Sequence, residues 1–321
     1  MKKLLVSNAA GTISQSIARV VRESGKFNDC EIVGMLQKHE FTNSKLYDEL
    51  VLAPSTYNEV DGVDHEWFSE ILNTLDINLA VPTTDYETVG WSYIKIPSTR
   101  FLLVSDQLAS EAYYDKWLNA ELFSKNNIPF ARSCLPSNYH DEFPKALVKP
   151  RKGGLSRGVI GDYFSAMKFP DSYIVQEVLR GPEFTFCFYV TQRGNILGPL
   201  VLERELRYGM TSVCIVRDDL YLEASRIAEQ MTVASNIVGP CNVQCRIGDN
   251  GQMVPFEVNC RYSGTCGIRH DIGFHDVLAS LNEYIYGIDP QLLRITQGGG
   301  FKRIIEYGTG TLKTWNELRA I

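Results

Sequence analysis

The chain has 321 residues, 44% of them hydrophobic and 22% charged, with a formal net charge of −6. That length exceeds one comfortable core and implies two or three structural units. Mild acidity without a block of like charges excludes an electrostatic footprint for nucleic acid or an anionic membrane, so any phosphate site must be local.

No apolar run approaches a membrane span, and the opening MKKLLVSNAAG lacks the apolar stretch of a signal peptide. The eight cysteines lie mostly in apolar runs, with no spacing like a secreted disulfide framework. The expectation is a reduced, soluble, cytoplasmic protein.

Residues 3–6 read as a short apolar strand, followed by the small-residue turn 7–11. Ile13, Ile17, Val20 and Val21 then share one helical face. Strands follow at 32–36, 79–82 and 101–104, with a helix marked by Trp67, Ile71 and Leu75 between the first two. Strands alternating with helices predict a doubly wound parallel α/β domain over 1–107. The first turn has one glycine, so a dinucleotide fingerprint is absent. Thr83, Thr84, Asp85 and Glu87 follow the third strand, at the edge where open α/β sheets bind ligands. Helix capping by Thr84 or Asp85 explains them equally well. His39 and His65 fall in polar connecting segments and read as surface residues.

Past residue 107 the character changes. A helix over about 110–126 is expected to present Tyr114, Leu118 and Leu122, with Asp115 and Lys116 near its start. Strands are expected at 146–149, 173–178, 184–190, 196–202 and 212–216, helices at 219–236 and 276–286. Residues 108–321 therefore form an α+β region with mostly antiparallel sheets.

Three stretches carry candidate chemistry. Strand 146–149 delivers Lys149 into Pro150-Arg151-Lys152-Gly153-Gly154-Leu155-Ser156-Arg157-Gly158-Val159, where glycines let backbone N–H groups converge on an anion. The P-loop pattern fails, because Val159 stands where Lys-Ser/Thr would follow. A mobile basic loop is the plainer alternative. Next, the apolar strand ending in Gln176-Glu177-Val178-Leu179 offers main-chain groups to a flat ring edge, and alternation puts Glu183 opposite the Phe184, Phe186, Phe188 face. Taken alone, this is an ordinary hairpin.

The third stretch is Cys241–Arg246 with Phe256–Arg261, joined by a turn containing Asp249-Asn250-Gly251. Alternation gives one face Asn242, Gln244, Arg246, Glu257, Asn259 and Arg261, and the other Cys241, Val243, Cys245, Phe256, Val258 and Cys260. A carboxylate among amide oxygens suits a hard divalent cation, whose other positions go to water and phosphate. A solvated sheet face is the alternative. Cys241, Cys245, Cys260 and Cys266 suggest zinc by type, but alternation turns three of them into the core.

In this order the motifs resemble the ATP-grasp superfamily, most closely the ATP-binding unit of the carbamoyl-phosphate synthase large chain and the carboxylate–amine ligases. The resemblance rests on Val148-Lys149-Pro150 with its glycine loop, Gln176-Glu177 through Gly181-x-Glu183, Asn242-Val243-Gln244, and Glu257-x-Asn259-x-Arg261. It implies a two-subdomain ATP-grasp fold over 108–321 with a lid at about 130–175. It also implies ATP and Mg2+ as cofactors, with Mn2+ as a substitute. Lys116 and Lys149 would contact the phosphates, beneath Gly153, Gly154, Ser156 and Gly158. Glu177, Val178 and Leu179 would form the adenine hinge, and Glu183 would hold the ribose. Gln244, Glu257 and Asn259 would bind metal, and Arg261 would face the transferred phosphoryl group. Cys260 departs from a common proline, and Gln244 removes a charge, which weakens one of two metal positions. Arg269, His270, Asp271 and His275 either line an acceptor pocket or serve capping and surface roles.

The implied activity is a carbon–nitrogen ligase joining a small carboxylate to an amine through an acyl phosphate. The alternatives are an ATP-binding sensor without turnover and an enzyme stopping at an acyl or carbamoyl phosphate. A biotin-dependent carboxylase is disfavoured, since nothing resembles a biotin carrier. Homo-oligomerisation is left open.

Overall fold

The computed structural model describes residues 1–38, 40, 42–60, 62–143, 145–153, 169–207, 209–248 and 251–301. Contacts divide them into two compact units, Met1–Val104 with Arg261–Leu292, and Ser105–Cys260 with Leu293–Phe301. His39, the loop residues Gly154, Leu155, Ser156, Arg157, Gly158 and Val159, and the turn residues Asp249 and Asn250 lie outside the described residues.

The first unit begins β1 (Lys2–Val6), α1 (Thr12–Glu23), β2 (Cys30–Leu36), β3 (Glu49–Leu52), α2 (His65–Thr74), β4 (Leu79–Val81), α3 (Asp85–Ser92) and β5 (Phe101–Leu102). Its five strands are parallel in the order β3-β2-β1-β4-β5, so the winding reverses between β1 and β4. Leu4 to Val6 and Leu79 to Val81 are all buried, as strands covered on both faces require. Strand β3 lacks apolar alternation and was not legible in the sequence. On α2, Phe68 and Leu72 are fully buried while Trp67, Ile71 and Leu75 flank them, so the core-facing stripe sits one residue further along than expected. The ring of Phe68 stacks on Trp91 at 4.4 Å.

The sheet-edge residues after β4 pack inward. Thr84 caps α3, its hydroxyl accepting from the Glu87 N–H. Glu87 is fully buried and receives Ser7 Oγ at 2.5 Å, Thr84 Oγ1 at 2.7 Å, Gln37 Nε2 at 3.0 Å and Tyr57 OH at 3.3 Å. Burial raises its pKa above the ordinary carboxyl value.

The second unit runs α4 (Gln107–Tyr114), α5 (Lys116–Lys125), β6 (Ser133–Cys134), β7 (Ala146–Pro150), β8 (Tyr173–Glu177), β9 (Glu183–Val190), β10 (Ile196–Arg207), β11 (Met210–Val216), α6 (Tyr221–Ala234), β12 (Gly239–Ile247) and β13 (Met253–Asn259). Its last strand, β14 (Gly299–Phe301), comes much later in the chain. Three strands form an antiparallel sheet, β6-β8-β7, and six form a second, β13-β12-β9-β10-β11-β14. One face of the larger sheet buries Phe184, Phe186, Phe188, Cys241, Val243, Cys245, Val258 and Cys260 against α6 and Phe123. Three of the four zinc-suggesting thiols are therefore core side chains, and the Cys241 and Cys260 sulfurs lie 3.7 Å apart.

Two expectations fail here for local reasons. The single helix over 110–126 is two, because Asp115 adopts extended angles (φ −94°, ψ 112°) and caps α5 with its side chain. The new helix turns Lys116, Asn119 and Phe123 inward and leaves Leu118 at the surface. Phe256 was expected in the core. The register between β12 and β13 shifts after Gln244, pairing Gln244 with Glu257 and Cys245 with Pro255, so Phe256 is the extra residue of a β-bulge and leaves the core face.

The first unit is completed by α7 (Cys266–Asp271) and α8 (Asp276–Tyr286), both packed on α1. Gly287 ends α8 in the left-handed conformation, φ 66°. Arg269 and Asp276 form a fully buried pair at 2.5 Å, with Arg269 also donating to Ser263 and Thr265. Arg269 is therefore a packing residue of this turn, and Asp271 pairs with Arg19 at 3.1 Å.

Phe186 is fully buried in the second unit's core beside Phe188. Phe186→Ala should cost about 3–5 kcal/mol of stability by transfer and cavity terms, read from the urea midpoint of unfolding. A change below about 1 kcal/mol would contradict this packing.

Candidate functional site

Alternation on β9 sends Glu183, Thr185 and Cys187 to the face opposite the phenylalanines. Register then sets Arg246 beside Glu183, Gln244 beside Thr185 and Asn242 beside Cys187 on β12, and Arg204 of β10 beside Glu183 on the other flank. From β13, Glu257 stands opposite Gln244 and Asn259 opposite Asn242. The structure thus gathers Glu183, Gln244, Glu257 and Asn259 on one polar sheet face and adds Arg204. Sequence reasoning missed Arg204 because it ended β10 at Leu202, whereas the strand runs to Arg207. The signal was there: continuing the alternation two residues further reaches it.

The polar contacts on this face are directional. Glu257 Oε1 accepts from Gln244 Nε2 and Asn259 Nδ2, both at 3.4 Å. Gln244 Oε1 accepts from Arg204 Nη2 at 2.6 Å, which fixes the orientation of that amide. Arg204 Nη2 also lies 2.6 Å from Glu183 Oε1, and Arg246 Nη2 lies 2.7 Å from Glu183 Oε2. Asn242 is buried, its Oδ1 receiving Thr185 Oγ1 at 2.6 Å and the Cys187 thiol at 3.2 Å, so it braces the sheet.

The bulge ties the two sheets of this unit together. The Phe256 carbonyl accepts from Lys149 Nζ at 3.4 Å and from Gln176 Nε2 at 3.5 Å. Next to it, Ala131 N–H donates to the Pro255 carbonyl at 2.8 Å. Lys149 is buried on β7, its ammonium 5.8 Å from the Phe256 ring centre. Burial, reinforced by Lys116 and opposed by Glu257, lowers the Lys149 pKa to about 8. Lys116 Nζ donates to the Gly153 carbonyl at 2.6 Å, and Gly153 itself has φ 95°. Asp115 accepts from the Trp117 N–H at 2.9 Å and from Arg151 Nη2 at 2.8 Å, anchoring the start of the glycine loop to α5.

At the end of β8, the Glu177 carboxylate is held by the Arg132 N–H and Nε, both at 2.8 Å. The Glu177 and Val178 amides donate to the Arg132 and Lys145 carbonyls. The Leu179 amide has no main-chain partner among the described residues. Arg261 opens the segment belonging to the first unit, where its Nη2 pairs with Asp85 Oδ2 at 2.7 Å and its Nη1 donates to the Tyr262 carbonyl. Also in that unit, His270 and His275 approach through their Nδ1 atoms at 3.0 Å, and burial lowers both pKa values.

The donor set suits a magnesium ion. Glu257 supplies a carboxylate and Asn259 an amide, while the remaining positions of such an ion ordinarily go to water and phosphate. The Gln244 oxygen is already engaged by Arg204.

No family model and no curated protein matches the sequence. Solved structures do. The N5-carboxyaminoimidazole synthetase of Staphylococcus aureus superposes with a TM-score of 0.70 at 12% identity, covering 90% of this chain and 78% of that one. An L-amino acid ligase from Bacillus licheniformis gives 0.71 at 14% identity, with 100% and 85% covered. The biotin carboxylase domain of 2-oxoglutarate carboxylase from Hydrogenobacter thermophilus, in complex with MgADP and bicarbonate, gives 0.70 at 14%, with 93% and 73% covered. This chain has the ATP-grasp fold.

Two predictions follow from the geometry around the lysines. Between pH 8 and the unfolded value of 10.5, the fold binds fewer protons at Lys149 than the unfolded chain does, so this group's contribution to stability rises with pH across that window. Urea unfolding followed between about pH 8 and pH 10 reads this, and Lys149→Met should remove this contribution. Asp115→Ala deletes a helix cap and the carboxylate partner of Arg151, which keeps the Asp171 carbonyl, and should cost about 2 kcal/mol in urea unfolding.

Proposed function

We propose that this protein is an ATP-dependent ligase that joins a small carboxylate to an amine through an acyl phosphate, releasing ADP and phosphate. The observation that carries the reading is the convergence, within one unit, of buried Lys149 and Lys116 with the Glu257–Asn259 polar face. Two cations beside a carboxylate-and-amide ligand set suit a metal-bound polyphosphate better than any other common ligand.

The chemistry is two displacements. A carboxylate oxygen of the first substrate attacks the γ-phosphorus as the bond to the β,γ-bridging oxygen breaks, and ADP leaves. The amine nitrogen then attacks the acyl carbon, the carbon–oxygen bond to phosphate breaks, phosphate leaves, and the amine proton passes to solvent or buffer. Neither step needs a covalent bond to the protein, so its work is positioning and charge neutralisation.

Lys149 and Lys116 serve as point charges on the phosphate oxygens. Gly153, Gly154, Ser156 and Gly158 are assigned to the phosphates by the glycine-rich sequence of this stretch alone, the last three lying outside the described residues. Glu177, Val178 and Leu179 take the adenine edge, with the Leu179 amide best placed to donate. Glu183 reaches the ribose with the lone pairs that Arg204 and Arg246 leave unused. Magnesium, held by Glu257 and Asn259 with Gln244 alongside, would neutralise charge on the phosphate oxygens when bound. The Glu257-x-Asn259-x-Arg261 pattern assigns Arg261, a planar donor pair, to the carboxyl phosphate. The setting we propose is cytoplasmic. An assembly of identical subunits is compatible with it, since one similar structure is named as a domain dimer.

Glu257→Ala should lower ADP release at least 1,000-fold while leaving the far-ultraviolet dichroism unchanged; full turnover in the folded variant would remove the metal assignment. ADP release measured across a matrix of carboxylates and amines should require one member of each class. Omitting the amine and adding hydroxylamine should trap a hydroxamate. Tight ATP binding with no ADP under any pairing would favour a sensor instead.

A further inference from the structure

The polar sheet face has a cation built into it. Arg204 Nη2 lies 2.6 Å from Gln244 Oε1 and 2.6 Å from Glu183 Oε1, and its side chain is 10% exposed. Its Nη1 is 3.4 Å from the Thr211 hydroxyl, and its Nε is buried with no partner among the described residues. A second divalent ion on the Gln244 side of Glu257 would need the Gln244 oxygen as a ligand. That oxygen is held by Arg204, and the amide turns its nitrogen to Glu257 instead. Gln244 cannot reverse its amide without setting its own N–H groups against a guanidinium, which has donors only.

Charge balance points the same way. Among the described residues of this face and the lysines beside it, Lys116, Lys149, Arg204 and Arg246 stand against Glu183 and Glu257, leaving two positive charges. A nucleoside triphosphate with one magnesium carries about two negative charges, which that surplus cancels. A second divalent ion would leave the site with an excess of positive charge in a partly desolvated place, where such an excess is costly.

We infer that Arg204 takes the place of a second metal ion, so that the site works with one divalent cation per nucleotide. This rests on the ligase reading of the same site. It also gives Gln244 a role other than metal ligand, that of positioning Arg204 against the face.

The test is a Mn2+ titration followed by electron paramagnetic resonance, with the full chain and a saturating β,γ-imido analogue of ATP. One manganese per chain, with an uncoupled spectrum, is expected. Two ions at about 4 Å would give a spin-coupled spectrum. Arg204→Met combined with Gln244→Glu removes the fixed cation and restores a carboxylate, and should raise the stoichiometry from one to two. Two coupled ions in the unaltered chain would overturn this inference alone and leave the nucleotide site standing. A double variant that still binds the analogue but holds one ion would also overturn it. No manganese bound with nucleotide would overturn both it and the ligase reading.

Discussion

The β-bulge at Phe256 sets the rest of the site. A regular strand would carry Phe256 into the core; with one extra residue the phenylalanine swings out and its carbonyl is freed from the ladder. That carbonyl receives Lys149 and Gln176, one residue from each of two neighbouring strands of the smaller sheet. The bulge therefore does two things at once. It holds Lys149 next to Glu257, and it keeps Glu257 and Asn259 facing away from the core that Val258 and Cys260 fill.

Holding charges in this place costs free energy, and the surrounding structure supplies the compensation. Lys149 is buried, and the nearby Glu257 offsets only part of the burial penalty. Glu183 is clasped by Arg204 and Arg246, and Glu177 by Arg132, so no described carboxylate of the site faces apolar surroundings alone. Asp115 orients Arg151 at the root of the glycine loop while capping α5.

How much of this was legible in the sequence follows from how local each signal is. Alternation over 241–246 and 257–260 placed the metal-type residues and the cysteines on opposite faces, and hydrophobic runs located most strands. The bulge was not legible, because a one-residue register shift leaves no mark in composition. Arg204 was missed because β10 outlasts its apolar run, and polar residues at a strand's end look like a loop. The break at Asp115 was hidden by helix-forming neighbours on both sides, although Asp before a helical run is a capping signal. Helix α7 and strand β14 are too short to carry periodicity, and the pairing of Arg261 with Asp85 joins residues far apart in the chain.

Similarity to three ligase-type structures at 12–14% identity establishes the fold and leaves the chemistry to the residues themselves. Diffraction from crystals grown with Mn2+ and the β,γ-imido analogue of ATP tests the central claim most directly. The account predicts an anomalous manganese peak about 2.0–2.3 Å from a Glu257 carboxylate oxygen, with Lys149 Nζ within hydrogen-bond distance of a phosphate. A triphosphate bound elsewhere, with no manganese at Glu257, would contradict it.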